Sequence, residues 1–254
     1  MIGMPVRIVT QSTPLKKFGN RSDSLKSKIE SYGPRIAKRA LELEAIKLSP
    51  TEPFQWASGY WMPIYNDNRR LLADAEARAL IAEGFEATLE ALEIAYDNIA
   101  GTATAGIPHA TTLADRLQAP LSYVRSSGKD HGLKNLIEGL GSSGSYQGAR
   151  VVLIEDLIST GGSSIKAVQA IREAEGLVSY CLAIFTYDLQ TSIDAFAALD
   201  PVCTPVALLD YDTMVATAQA TDYVDLAGAE LLAQWRLDPF GWGEANGFLP
   251  NKRN

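Results

Sequence analysis

The stretch VVLIEDLISTGGSSIKAV, Val151 to Val168, decides the fold. Four apolar residues run straight into two adjacent carboxylates, Glu155 and Asp156. Small and hydroxylated residues follow, and then a helical pattern. An unbroken apolar run marks a strand covered on both faces, as in parallel sheets. Ligands of such sheets sit beyond the carboxyl ends of the strands. Carboxylates are seldom buried without partners, because desolvation is costly. The pair therefore points to a ligand that donates hydrogen bonds, and the vicinal hydroxyls of a ribose match it geometrically. Ser159, Thr160, Gly161, Gly162 and Ser163 then offer hydroxyls and accessible backbone N–H groups at a helix N-terminus. That combination holds a phosphate through oriented amides and the helix dipole. No lysine follows the glycines, which excludes the ATP-type phosphate loop. The plainer alternative is a strand–turn–helix connection capped by Ser163. The two acids in front favour a site for a sugar with a terminal phosphate.

Outward from this stretch, short apolar runs alternate with helical stretches. NIAG leads into IPHATTLADRL, LSYV into a polar loop, YCLAIFTY into QTSIDAFAAL, and VALLD into YDTMVATAQA. The alternation predicts βαβ units and a parallel sheet. Upstream, DAEARALIAEGFEATLEALEIA predicts an amphipathic helix with Leu80, Ile81, Phe85, Leu89 and Leu92 on one face. Helical spacing begins near Ser24 and includes Leu25, Ile29, Ile36, Leu41, Leu43 and Ile46, with a break expected at Gly33-Pro34. FQWASGYWMPIYNDNR reads as an aromatic loop, GLGSSGSYQG as a flexible connection, and LAGAELLAQWRL as a final helix ending near Asp238-Pro239.

The 254 residues suit one α/β domain with additions, and 46% hydrophobic against 21% charged content is ordinary for a globular chain. A net charge of −7 argues against a general nucleic-acid binder. Residues 1–40 nevertheless hold nine Lys/Arg against Asp23 and Glu30, which reads as a solvated basic arm and helix face. Cys181 and Cys203 form no disulfide framework, and a reducing compartment fits. No apolar stretch reaches membrane-spanning length, so no membrane partner and a cytoplasmic location are expected. His109 reads as a helix-start residue rather than a ligand, and no His/Cys cluster has metal-site spacing.

VVLIEDLISTGG resembles the phosphoribosyl-diphosphate (PRPP) motif of type I phosphoribosyltransferases. Gly101–Gly139, Phe54–Arg69 and AIFTYDLQTS are similar to the orotate phosphoribosyltransferases within that family. The resemblance covers about residues 50 to 240. It implies a parallel sheet flanked by helices, with a small N-terminal hood. The expected division is a loose arm over 1–22 and a single domain over 23–254, with the hood at about 23–72 and the core at about 73–240. It implies transfer of phosphoribose from PRPP to orotate with Mg²⁺, giving orotidine 5′-monophosphate and pyrophosphate. The metal would be held mainly by PRPP and water. It also implies a homodimer with loop 125–135 shared across the interface.

The resemblance assigns PRPP binding to Arg125, Lys129, His131, Glu155, Asp156, Ser159, Thr160, Gly161, Gly162 and Ser163. Arg125, Lys129 and His131 are also the expected catalytic cations, since negative charge builds on departing pyrophosphate. By residue pattern alone the same loop could be a solvated basic segment. Many relatives carry a second lysine where this chain has Ser126 or Ser127. Orotate contacts are expected from Ser159, from Ser58 in a tight turn, and from Tyr65 by stacking. Met62 and Ala105 replace a serine and a lysine found in some relatives. A phosphoribosyltransferase for another base should lack the KDHG loop. A non-catalytic PRPP-sensing regulator should lack the loop cations.

Overall fold

The structure is a computed structural model that describes residues 30–56, 58–126 and 136–249. Its centre is a six-stranded sheet. The strands are β5 (Asn98–Thr102), β6 (Leu121–Val124), β7 (Ile137–Glu138), β8 (Arg150–Ile158), β9 (Leu177–Thr186) and β10 (Thr204–Asp210). Their spatial order is β10-β9-β8-β5-β6-β7, parallel throughout except for the antiparallel edge strand β7. The continuous apolar run of β8 follows from burial on both faces. Val152 and Ile154 face one core cluster with Ile99, Leu182 and Ile184. Val151 and Leu153 face the other, with Cys181, Val168 and Ile171.

The first described helix, α1 (Tyr32–Glu42), turns Ile36, Ala37, Ala40 and Leu41 inward. The chain is helical at Glu30, turns at Ser31 and starts α1 at Tyr32, so the break expected at Gly33-Pro34 falls two residues earlier. Pro34 sits in the first turn, where its missing N–H has no intrahelical bond to lose. Gly33 lies close against β10 and the residues just after it: a Cβ there would be 3.1 Å from the Leu208 carbonyl oxygen and 3.2 Å from Thr213 Cγ2. Helix α1 therefore rests on β10 and on α6 (Tyr211–Ala220), the elements of the C-terminal part. Ile46, expected to continue the helix, instead opens β1 (Ile46–Leu48). The aromatic segment is more ordered than a loop. It holds β2 (Phe54–Gln55) against β3 (Trp61–Met62), and β4 (Ile64–Asn66) against β1, both antiparallel. A 3₁₀ helix over Asn68–Ala73 then leads to α2 (Ala75–Ala91).

Helix α2 is capped by Asp74, whose carboxylate accepts the Ala77 N–H at 2.6 Å. Ile81, Phe85 and Leu89 are buried as the spacing predicts, while Leu80 and Leu92 are partly buried against the same cluster. Helices α3 (Gly106–Leu117), α4 (Gly162–Glu173) and α5 (Gln190–Ala197) follow β5, β8 and β9. Helix α7 (Leu226–Leu237) ends where expected. It is not the last helix, since α8 (Trp242–Ala245) follows. In the GLGSSGSYQG connection, Tyr146 is buried and its hydroxyl lies 2.8 Å from Ser122 Oγ. Both cysteines are buried free thiols. Among the described residues no helix is long and apolar enough to cross a membrane.

Candidate active site

From β5 the chain crosses through α3 to β6 on one side, and from β8 through α4 to β9 on the other. The neighbours β5 and β8 thus frame the point where the winding reverses, the usual ligand position of such sheets. A cavity of about 500 Å³ opens there. Its wall comes from three segments: Asn66–Arg69 at the end of β4, Ala103–Ala105 after β5, and 155–163 at the end of β8. Of the expected sugar-phosphate residues, Glu155, Asp156, Ser159, Thr160, Gly161, Gly162 and Ser163 all line this one cavity.

The turn into α4 is built by glycine. Gly161 is the N-cap of α4 at φ +85°, a left-handed conformation that favours glycine. No side chain caps the helix, so its first-turn N–H groups carry no side-chain acceptor. A Cβ on Gly162 would meet nothing within 4 Å, which leaves the approach open. An anion is favoured at this position by the helix dipole.

The two carboxylates have different surroundings. Glu155 is 4% exposed and accepts hydrogen bonds from inside the protein. Its donors are Thr102 Oγ1 at 2.6 Å, Ser164 Oγ at 3.0 Å, the Asp156 N–H at 3.2 Å and Ser163 Oγ at 3.3 Å. Asp156 is pushed up to about 7. Burial is the main cause, followed by the adjacent Glu155 charge and a carboxyl–carboxyl hydrogen bond to Glu155; the Asp156 and Leu157 N–H groups oppose it. Both acids line the cavity, and Glu155 is in addition hydrogen-bonded into its wall.

Gly106 holds this wall together by close approach. A Cβ there would lie 2.4 Å from Thr102 Oγ1 and 2.5 Å from the Ile154 carbonyl oxygen. Gly106→Ala is expected to displace Thr102 from Glu155 and to lower unfolding stability by roughly 1–3 kcal/mol, the usual range for overpacking. Gly162→Ala, made into open space, is the control and should leave stability unchanged within about 0.5 kcal/mol. Equal urea midpoints and slopes for Gly106→Ala and wild type would contradict the close-approach role.

Arg125 lies next door. It lines a second cavity of about 420 Å³ with Ser126, Lys166 and Glu173, and this cavity shares Ala103 and Ser163 with the first. Its N–H donates to the Leu136 carbonyl at 2.8 Å, and Nη1 stands 3.6 Å from Glu138 Oε1, an ion pair too long to be a hydrogen bond. Lys129 and His131 lie outside the described residues. Ser58 is exposed in a turn before Gly59 and does not line the cavity. Tyr65 is 40% exposed, with its ring 5.8 Å from that of Phe54. Alternation along β4 explains this: Ile64 and Asn66 share one side and Tyr65 takes the other. His109 is 2% exposed within α3 and is pushed down to about 4, by burial first and then by the Arg78 charge.

Sequence reasoning passed over Asn66, Asp67, Asn68 and Arg69, which line the cavity with the turn into α4. Asn68 Nδ2 donates to the Asp156 carbonyl at 2.7 Å, tying the hood to the end of β8. The Asn66 amide and Asn68 Oδ1 are buried without hydrogen-bond partners among the described residues. Arg69 Nε donates to Asp67 Oδ1 at 2.5 Å. The signal was a run of four polar residues ending the short strand of PIYNDNR.

The phosphoribosyl transferase domain family matches residues 68–189. An orotate phosphoribosyltransferase of Enterococcus faecalis (strain ATCC 47077 / OG1RF) is 44% identical over 210 residues, covering 83% of this chain and 97% of its own. One of Bacillus pumilus (strain SAFR-032) is 46% identical over 205 residues, covering 81% and 94%. Among solved structures, orotate phosphoribosyltransferase from Aeropyrum pernix superposes with a TM-score of 0.60 at 26% identity, over 75% of this chain and 99% of that one. Leishmania donovani UMP synthase shares the fold, with a TM-score of 0.65 at 24% identity, over 80% of this chain and 42% of that one.

Proposed function

The chain belongs to the orotate phosphoribosyltransferase family, and from that premise we propose that it transfers phosphoribose from PRPP to orotate. The products are orotidine 5′-monophosphate and pyrophosphate, a step of pyrimidine nucleotide synthesis. The observation that carries this reading is the single cavity joining Asp156 to the uncapped N-terminus of α4 at the winding reversal. In it the 5′-phosphate lies on the first-turn N–H groups of α4, with the hydroxyls of Ser159, Thr160 and Ser163 around it. Asp156 accepts from the ribose hydroxyls. The ring nitrogen of orotate bonds to the anomeric carbon as the bond to pyrophosphate breaks, and the proton of that nitrogen passes to the departing pyrophosphate or to water. Negative charge grows on the leaving group, and Arg125, Lys129 and His131 are the cations proposed to meet it.

We assign Mg²⁺ as the cofactor. Asp156 supplies a hard carboxylate oxygen of the kind this ion accepts, and the remaining ligands would be substrate oxygens and water. When bound, Mg²⁺ would neutralise diphosphate charge. A homodimer sharing segment 125–135 and a cytoplasmic location complete the reading, the latter supported by the two buried free thiols.

The test follows orotate absorbance in the presence of PRPP and Mg²⁺, with uracil, hypoxanthine and adenine as controls. Consumption of orotate in preference to the other bases is expected. Turnover of another base in its place would overturn the assignment of the base, and no turnover of any base would overturn the enzymatic reading.

A further inference from the structure

Resting on the reading that the base is orotate, we propose that Arg69 recognises the carboxylate of the pyrimidine, with Asp67 orienting its guanidinium. The charge of the cavity wall makes such a residue necessary. Asp67, Glu155 and Asp156 line the cavity, and Arg69 is the one Lys, Arg or His among its described lining residues. An anionic base entering this space meets carboxylates on two sides. Without a cation it would be repelled, and a neutral base would be preferred.

Arg69 has the geometry for the task. It follows Asn68, which is buried and bonded to the Asp156 carbonyl at 2.7 Å, so its backbone is fixed to the end of β8. Its Nε donates to Asp67 Oδ1 at 2.5 Å. That bond uses Nε and leaves the two terminal nitrogens for a bidentate carboxylate pairing, which guanidinium geometry favours. The side chain is 66% exposed and lines the cavity, so its guanidinium is not packed into the wall. The proposed 5′-phosphate site lies on a different segment, at 159–163, and is served by helix N–H groups. The diphosphate is assigned to Arg125, Lys129 and His131, which leaves the Arg69 guanidinium to the carboxylate of the base. Asp67 is a positioning residue here. Its carboxyl is held below the usual range, chiefly by the hydrogen bond from Arg69, so it stays ionised and keeps its partner aligned.

Two nucleotides that differ only in the carboxylate isolate the contact: orotidine 5′-monophosphate and uridine 5′-monophosphate. Their dissociation constants are measured by calorimetry for wild type, Arg69→Ala, Arg69→Lys and Asp67→Asn. Arg69→Ala should weaken orotidine monophosphate binding by roughly 10–100-fold, the scale of a charge-assisted pairing. Uridine monophosphate binding should change by less than about twofold, which also shows that the variant is folded. Arg69→Lys should recover part of the loss, and Asp67→Asn should show a smaller loss with the same selectivity. Equal weakening of both nucleotides would place Arg69 on the phosphate or in the wall and overturn the proposal. Unchanged binding of both would overturn it as well. A wild-type protein that turns over uracil but not orotate would overturn the reading of the base itself, and the carboxylate contact with it.

Discussion

Asp156→Asn is expected to lower kcat/KM by roughly 10²–10³-fold and, in the same protein, to raise the stability of the unliganded fold. The activity loss follows from replacing a charged acceptor for the ribose hydroxyls by a neutral amide; each charge-assisted bond is worth about 1.5–3 kcal/mol. The stability gain follows from the environment of the carboxyl. Asp156 is pushed up to about 7 by burial and by Glu155, so its ionised form is disfavoured in the fold. Its contribution to stability is greatest below the unfolded value near 4, declines as pH rises through about 7, and is lowest above that. Asparagine removes the ionisation and hence that decline. At pH 8 the gain should reach about 1–3 kcal/mol, and at pH 4 the two proteins should nearly coincide. Urea unfolding at both pH values, beside steady-state kinetics, reads the two effects. A variant less stable than wild type at pH 8 would make Asp156 a structural acid rather than a substrate contact.

Lys129→Ala is expected to reduce turnover by roughly 10²–10³-fold, as removal of other electrostatic donors to a developing charge does. The proposed dimer makes a sharper test of where that lysine acts. If Lys129 serves the partner's site and Asp156 its own, a dimer of one Lys129→Ala chain and one Asp156→Asn chain holds one whole site and one doubly damaged site. With equal amounts and free exchange about half the dimers are mixed, so activity should recover to about a quarter of wild type. No recovery, with exchange verified by mass tagging, would place Lys129 in its own subunit's site.

The sheet was legible because strands buried on both faces have no alternative to continuous apolar composition, as Val151–Ile154 shows. The turn from β8 into α4 was legible because paired glycines between an apolar run and a helical pattern mark a strand–helix junction. The hood was harder. Trp61-Met62 and Ile64–Asn66 are strands of two and three residues, too short to display a period of two. That brevity led to the choice of Tyr65 and hid Asn66, since one residue of register moves a side chain to the other face. The hydrogen bonding of Glu155 into the wall was not legible either. It depends on Thr102, which is brought to Glu155 by the pairing of β5 with β8. Pro34 located the helix break only to within two residues, because proline is tolerated in a first turn and the helix start at Tyr32 has no capping side chain to announce it.

The placement of α1 on β10 and α6 joins an early helix to elements synthesised much later, and this governs how the protein is made. During synthesis Ile36, Ala40 and Leu41 emerge with their apolar face bare. The strand that covers them begins at Thr204 and its following helix ends at Ala220. The interval is about 170 residues, or roughly 10–35 s at ribosomal speeds of about 5–20 residues per second. Through that time the first helix has only partial shelter from α2, which reaches it earlier. Nascent chains stalled before residue 204 should therefore bind apolar-surface chaperones and be cut readily by protease within α1. Chains stalled well beyond residue 220, with that segment clear of the exit tunnel, should be resistant.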